Sequence, residues 1–187
     1  PFSCTFVGDA SLSKRPMQRV MTPLGQCGAA FNAAEGGRLP LTVTGLSPAK
    51  PIDYELPVAS AQVKSAILLA GLNADGETRV VEPRPTRDHT ELMLKHFGVN
   101  VVVEELSDGG RSIRVAGGQR LTARNVVVPA DISSAAFPLV AALLVPGSEI
   151  TLPNIGVNPL RTGLLDALAL MGADIERENQ RTEAGEP

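Results

Sequence analysis

Four polar segments of the sequence stand where a helix would begin, and each could bind a small anion. The first N–H groups of a helix have no partner within it, and the helix dipole adds positive charge there. Phosphate and carboxylate groups bind at such ends. The sequence contains no nucleophile motif, zinc spacing, Walker loop or dinucleotide fingerprint, so it indicates electrostatic binding rather than covalent catalysis. The four segments are residues 8–17, 59–64, 85–91 and 129–134.

The first segment offers Arg15, which directly precedes Pro16. Proline suits the first position of a helix, so Arg15 would stand on a rigid turn just before one. Its planar guanidinium would present a fork of donors to a phosphate or a carboxylate. The alternative is an ordinary solvated loop in which Lys14 and Arg15 face water.

The second segment places Ser60 and Gln62 at the start of an apolar helix. A capping role explains Ser60 without any ligand. Gln62 lies in the first turn, where its amide must face a site or find a partner. Together with the backbone N–H groups, the two side chains would cradle an oxyanion and a neighbouring hydroxyl.

The third segment contains Arg87, which precedes a predicted helix at nearly the offset that Arg15 has from its own helix. Asp88 and Glu91 fit a capping box, which explains both acids structurally. His89 could act as a base, but a lone histidine on a helix is more often a surface residue. In the fourth segment Asp131 is predicted to cap a helix that begins with two serines.

Three glycines, Gly28, Gly98 and Gly172, reveal a repeat of about 70 residues. Each ends a helical pattern and precedes an extended run, as expected of a left-handed residue after a helix. Apolar helices are predicted at 60–72 and 133–145, each followed by a glycine turn and a strand. The predicted strands include 2–7, 78–82, 111–115, 125–128, 149–152 and the run that follows Gly172.

These elements predict an α/β fold of repeated β-α-β-α-β-β units with sheets outside and helices inside. The helices at 60–72 and 133–145 are apolar nearly all round, as buried helices are. The repeat is too long for an ankyrin-type solenoid.

The bulk composition narrows the classes of partner. The chain has 187 residues, of which 43% are hydrophobic and 20% charged, enough for a real core. Its net charge of −3 argues against nucleic acid or a membrane as the main partner. Cys4 and Cys27 form neither a metal spacing nor a disulfide framework, so reduced thiols in the cytoplasm are expected. The chain lacks an initiating Met and enters a strand at once, which favours an internal piece over a small processed protein.

Taken together, five motifs resemble the enolpyruvyl transferase family, and within it the members that act on shikimate 3-phosphate. The likeness runs in order to about Glu176, and five motifs in sequence are far more specific than any one. The motifs are GDASL with KRPM at 8–17, SAQVKSA at 60–66, TRDHTE at 86–91, SSAA at 133–136 and NPLRTG at 158–163.

The resemblance implies an inside-out α/β barrel of two lobes, with residues 1–129 in the first lobe and 130–187 opening the second. It implies transfer of the enolpyruvyl group from phosphoenolpyruvate to the 5-hydroxyl of shikimate 3-phosphate, without a metal or organic cofactor. Arg15 would contact phosphoenolpyruvate and Gln62 both substrates. The remaining implied residues, Ser60, Ala61, Thr86 and Arg87, would bind shikimate 3-phosphate.

The sequence also departs from the family pattern. The family's N-terminal Lys-Ser segment, its Gly-rich loop, and its C-terminal acidic base, Lys-Glu pair and further arginines are not in this chain. The chain alone is therefore expected to be inactive. The alternatives are a family member that acts on UDP-N-acetylglucosamine, and a non-catalytic module built from the same repeats.

Overall fold

The first sheet has three antiparallel strands in the computed structural model, which describes residues 2–187. The strands are β1 (Ser3–Phe6), β2 (Ala30–Ala34) and β3 (Arg38–Thr44), in the order β1-β3-β2. Helix α1 (Gln18–Gln26) connects β1 to β2 and begins two residues after Pro16. Strand β1 confirms the strand predicted at 2–7. Helix α1 begins at Gln18 and not at Pro16, where the sequence predicts its first position.

The second sheet contains one complete copy of the predicted repeat. Its strands are β4 (Asp53–Glu55), β5 (Glu77–Glu82), β6 (Val101–Glu105) and β7 (Arg111–Ala116), in the order β4-β5-β7-β6. Strand β4 runs parallel to β5, and the other pairs are antiparallel. With helices α2 (Ala61–Gly71) and α3 (His89–His96), the chain order is β4-α2-β5-α3-β6-β7. This confirms the α/β class and the β-α-β-α-β-β order.

Helix α2 packs against β5 and β7 of this sheet. Its Ile67 and Leu68 are fully buried, as are Val80 and Ile113 of the strands. Gly71 allows the close approach, because a Cβ at this position would lie 2.8 Å from the Cβ of Thr78. The buried-helix prediction is thus confirmed for α2.

The three repeat glycines all adopt the left-handed conformation predicted for them. Gly28, Gly98 and Gly172 have φ angles of 97°, 88° and 85°. A side chain at such a φ crowds the backbone, so glycine is favoured at all three positions. The repeat is therefore visible in the backbone as well as in the sequence.

The chain divides into two compact units. The sheet unit comprises the residues up to Thr86 together with Gly98–Leu121, and the helical unit comprises Arg87–Phe97 and Thr122–Pro187. The helical unit contains α3, α4 (Ile132–Leu144) and α5 (Gly163–Leu170).

Several predictions for the helical unit are wrong. The strands expected at 125–128, at 149–152 and after Gly172 do not form, and within the described part of this unit β pairing is limited to isolated bridges. A strand needs a neighbour for its backbone N–H and C=O groups, and these segments lie beside none. Helix α4 is also largely exposed, with Phe137 80% accessible, so the buried-helix prediction is wrong here.

Candidate anion-binding site

The start of α2 has the features predicted for an anion-binding helix end. Ser60 is the N-cap in extended conformation, and its Oγ accepts a hydrogen bond from the Val63 amide at 3.4 Å. The amides of Ala61 and Gln62 have no partner within residues 2–187 and remain available to a ligand. The structure confirms the cap and leaves two donors open beside it.

The Gln62 side chain is exposed and is held by Arg19 of α1. The Arg19 Nη2 donates to the Gln62 Oε1. Because the oxygen is occupied, the amide nitrogen of Gln62 is left as the free donor end. Arg19 was not singled out from the sequence; since it is 43 residues away, only packing of α1 on α2 reveals the contact.

Arg15 stands on a loop that is fixed by its own hydrogen bonds. The Asp9 Oδ1 accepts from the Leu12 amide at 2.7 Å, and the Ser13 hydroxyl donates to the Gly8 carbonyl at 3.1 Å. The Arg15 amide closes the turn on the Leu12 carbonyl at 3.0 Å. Its exposed guanidinium makes no ion pair or hydrogen bond with the described residues, so its donors are free. No hydrogen bond joins Arg15 to Ser60 or Gln62 in that part of the chain.

Thr86 is held by a buried ion pair between Lys64 of α2 and Glu82 of β5. The Lys64 Nζ lies 3.1 Å from the Glu82 Oε2, and both side chains are 0% exposed. The Thr86 hydroxyl and amide both donate to the Glu82 Oε2, at 2.5 and 3.3 Å. The Thr86 carbonyl accepts from the Lys64 Nζ at 3.4 Å. All three polar groups of Thr86 therefore bind the same pair.

Arg87 is exposed at the start of the helical unit, and no ion pair or hydrogen bond engages its guanidinium within the described chain. The capping box predicted after it is wrong. Asp88 precedes α3 but makes no side-chain cap; its Oδ1 instead accepts from the Asn158 Nδ2 at 2.8 Å. His89 is partly exposed, and its Nδ1 lies 2.6 Å from the Glu186 Oε1.

Asp131 caps α4 as predicted, accepting from the amides of Ser133 and Ser134. The hydroxyl of Ser134 and those two amides hold the pKa of Asp131 below its ordinary value, with a smaller contribution from Arg161. The Arg161 Nη2 lies 2.7 Å from both the Asp131 Oδ1 and the Ser133 Oγ. This helix end is therefore filled by a carboxylate of the chain itself.

Comparison with known proteins assigns the family. The family model described as EPSP synthase (3-phosphoshikimate 1-carboxyvinyltransferase) matches residues 1–187. The chain belongs to the EPSP synthase family. The resemblance read from the sequence is thus confirmed.

Two relatives carry the name 3-phosphoshikimate 1-carboxyvinyltransferase. The one from Paramagnetospirillum magneticum is 64% identical over 187 residues, which are all of this chain and 42% of the relative. The one from Granulibacter bethesdensis is 65% identical over 181 residues, which are 96% of this chain and 40% of the relative. The chain thus spans about two fifths of the length of these relatives.

A solved EPSP synthase shares the fold. The structure from Acinetobacter baumannii matches with a TM-score of 0.82 and 50% identity, covering 100% of this chain and 41% of that one. Among the described residues no helix is long and apolar enough to cross a membrane.

Two residues, Lys64 and Glu82, form a buried pair that the sequence analysis does not predict. Lys64 lies within the SAQVKSA motif, yet no role for it was predicted, and Glu82 was read only as the end of a strand. One sequence signal pointed to them, since a lysine inside an otherwise apolar helix must find an acid if it is buried.

Proposed function

We propose that the chain forms part of an enzyme that transfers the enolpyruvyl group of phosphoenolpyruvate to the 5-hydroxyl of shikimate 3-phosphate. The observation that carries the proposal is the start of α2, where two free amides, the Ser60 cap and the Gln62 amide occur together. Such a cluster of donors suits an anionic, hydroxylated substrate. Membership of the EPSP synthase family supports it.

The residues divide between the two substrates. Ser60, Ala61 and Gln62 bind shikimate 3-phosphate through hydroxyl, backbone and amide donors, and Gln62 also touches phosphoenolpyruvate. Arg87 binds the phosphate region of shikimate 3-phosphate, with Thr86 assisting. Arg15 binds phosphoenolpyruvate, for which its unpaired planar guanidinium is suited.

The reaction needs positioning and charge stabilisation from these groups. The methylene carbon of phosphoenolpyruvate is protonated, and the 5-hydroxyl oxygen bonds to the central carbon as it gives up its own proton. Phosphate then leaves from that carbon while the new methyl group loses a proton, which restores the double bond of the enolpyruvyl product. Fixed donors around the phosphates lower the barrier because they need no reorganisation as charge moves. We further propose that residues 1–129 belong to one lobe and 130–187 to a second, in an inside-out α/β barrel. Because the chain spans about two fifths of its relatives' length, it would hold part of the site and be inactive alone.

Binding measurements test the substrate assignment. Shikimate 3-phosphate titrated into the 187-residue chain, followed by amide chemical shifts, is expected to move the resonances of residues 60–62. UDP-N-acetylglucosamine is expected to leave them unmoved. Binding of the sugar nucleotide instead would favour the other branch of the enolpyruvyl transferases. Binding of neither compound would contradict the proposal and favour a non-catalytic module.

A pair of glutamine variants localises the site. Gln62→Ala is expected to weaken shikimate 3-phosphate binding roughly 10-fold, since a hydrogen bond to a charged or hydroxylated ligand is lost. Gln26→Ala is the matched control, because Gln26 is also exposed on a helix but lies at the C-terminal end of α1. Equal effects of both changes would remove the support for a site at the start of α2.

A further inference from the structure

We propose that the buried Lys64–Glu82 pair is a positioning device for the substrate site, acting through Thr86. This inference rests on the proposed function, because the site it positions is the one proposed for shikimate 3-phosphate. Neither Lys64 nor Glu82 is itself placed in contact with substrate. Both are fully buried, whereas the proposed ligand-binding residues are exposed or half-buried.

The pair connects α2 to the end of β5. Lys64 lies on α2, one turn after the Ser60 cap, and Glu82 is the last residue of β5. The ion pair therefore joins the helix that presents Ser60 and Gln62 to the loop that ends in Thr86. A buried pair is a poor way to stabilise a fold, since an apolar pair of similar volume often serves as well or better. Here the pair holds Thr86 in one position, since Glu82 and Lys64 bind its hydroxyl, amide and carbonyl.

The pair engages every polar group of Thr86. Glu82 accepts from its hydroxyl and its amide, and Lys64 donates to its carbonyl. The hydroxyl proton points at a carboxylate, so it is not available to a phosphate ligand. Thr86 therefore assists binding by its position and not as a donor.

The loop between Glu82 and Thr86 is short and contains two prolines. Pro83 and Pro85 fix two of its φ angles, and the Glu82 carboxylate closes the loop on Thr86. The pair thus orders the peptide from which the chain continues to Arg87. Losing the pair would release the Thr86 end of this short loop.

A double substitution tests the idea while keeping the core filled. Lys64→Met with Glu82→Leu replaces both charges by apolar side chains of similar size, and the half-buried Thr86 can then hydrogen-bond to water. In the 187-residue chain this variant is expected to melt at or above the wild-type temperature and to bind shikimate 3-phosphate roughly 10-fold more weakly. Exchange of the Thr86 amide with deuterium is expected to become faster. Asp53→Asn, which breaks the exposed Arg79–Asp53 pair of the same sheet, is the control and should leave affinity unchanged.

Thr86 variants provide the readout that a merely structural pair would not give. Thr86→Val alone should weaken binding, and Thr86→Ser, which keeps the hydroxyl, should restore it. Added to the double variant, Thr86→Val should have no further effect, because the pair acts through Thr86. If the double variant does not fold, the comparison of Thr86→Val with Thr86→Ser decides alone.

The outcomes separate the two proposals. Suppose that the wild-type chain binds shikimate 3-phosphate. The positioning role would be overturned if the folded double variant, or Thr86→Val, bound it with the same affinity as wild type. The proposed function would then still stand. Additive losses from the pair and from Thr86 would also overturn the positioning role. A wild-type chain that binds no shikimate 3-phosphate would overturn the proposed function and this inference with it.

Discussion

At the scale of single residues, Asp131 shows how hydrogen bonds control ionisation. The Ser134 hydroxyl and the Ser133 and Ser134 amides hold the pKa of Asp131 below 3.8, and Arg161 adds to the effect. A depressed pKa in the folded state means that ionised Asp131 stabilises the fold above pH 3.8. This contribution is lost as the pH falls through the lowered pKa.

Replacement of Asp131 tests the direction of this pH dependence. Asp131→Asn keeps a capping oxygen but removes the titrating group. We expect the variant to melt below wild type at pH 7 and the difference in melting temperature to shrink as the pH falls below 3.8. A difference that stays constant from pH 7 to pH 2 would contradict the assignment. Ser148→Ala, at an exposed position outside the helices, serves as the control.

The two thiols should differ in reactivity. Cys4 is exposed on β1, whereas Cys27 is only 4% accessible and burial raises the pKa of its thiol. Iodoacetamide reacts with the thiolate, so Cys4 should be alkylated first and Cys27 only after unfolding. Peptide mass spectrometry of native and guanidinium-treated protein measures this. Preferential alkylation of Cys27 in the native chain would show that the end of α1 opens.

At the scale of elements, the packing of α2 on its sheet depends on Gly71. Alanine there would bring a Cβ within 2.8 Å of Thr78 and 3.0 Å of Val115. Overpacking costs about 1–3 kcal/mol and outweighs the gain in helix propensity of ~1 kcal/mol. We expect Gly71→Ala to lower the free energy of unfolding by about 1–2 kcal/mol, measured by urea denaturation.

Gly25 is the matched control for Gly71. It also lies within a helix, but a Cβ there would meet nothing within 4 Å. Gly25→Ala should therefore raise stability by about 0.5–1 kcal/mol through helix propensity alone. If both alanines raised stability, the idea that a Cβ at position 71 overpacks the contact between α2 and β5 would be wrong.

The elements that the sequence predicts best are those set by local signals. The Ser60 cap, the apolar α2 and the left-handed glycines each depend on a few neighbouring residues, and all three form as expected. The Lys64–Glu82 pair spans 18 residues and the Arg19–Gln62 bond 43, so only tertiary packing reveals them. The repeat pattern predicts a strand at 149–152 after a helix and a glycine turn, but a strand also needs a partner edge. Asp88 makes no side-chain cap, and its Oδ1 instead accepts from Asn158, 70 residues away, a contact that local sequence does not reveal.

At the scale of the whole molecule, the chain carries some of the expected site residues while spanning 42% of a relative that is 64% identical to it. This identity permits an exchange. We propose to put the chain in place of the matching segment of the Paramagnetospirillum magneticum 3-phosphoshikimate 1-carboxyvinyltransferase, whose remaining length would supply the groups that we expect this chain to lack. The exchange shows whether these 187 residues support the reaction when the rest of the enzyme is present.

We expect the exchanged enzyme to form product from shikimate 3-phosphate and phosphoenolpyruvate, and the 187-residue chain to form none. Arg15→Ala in the exchanged enzyme should lower kcat/KM roughly 100-fold, because a fixed donor to a charged substrate is lost. Arg38→Ala, at an exposed arginine on β3 outside the proposed site, should leave kcat/KM near its starting value. Turnover by the chain alone would refute the incomplete site. A folded exchanged enzyme without turnover would show that this segment does not support the proposed reaction, since every other part would come from the relative.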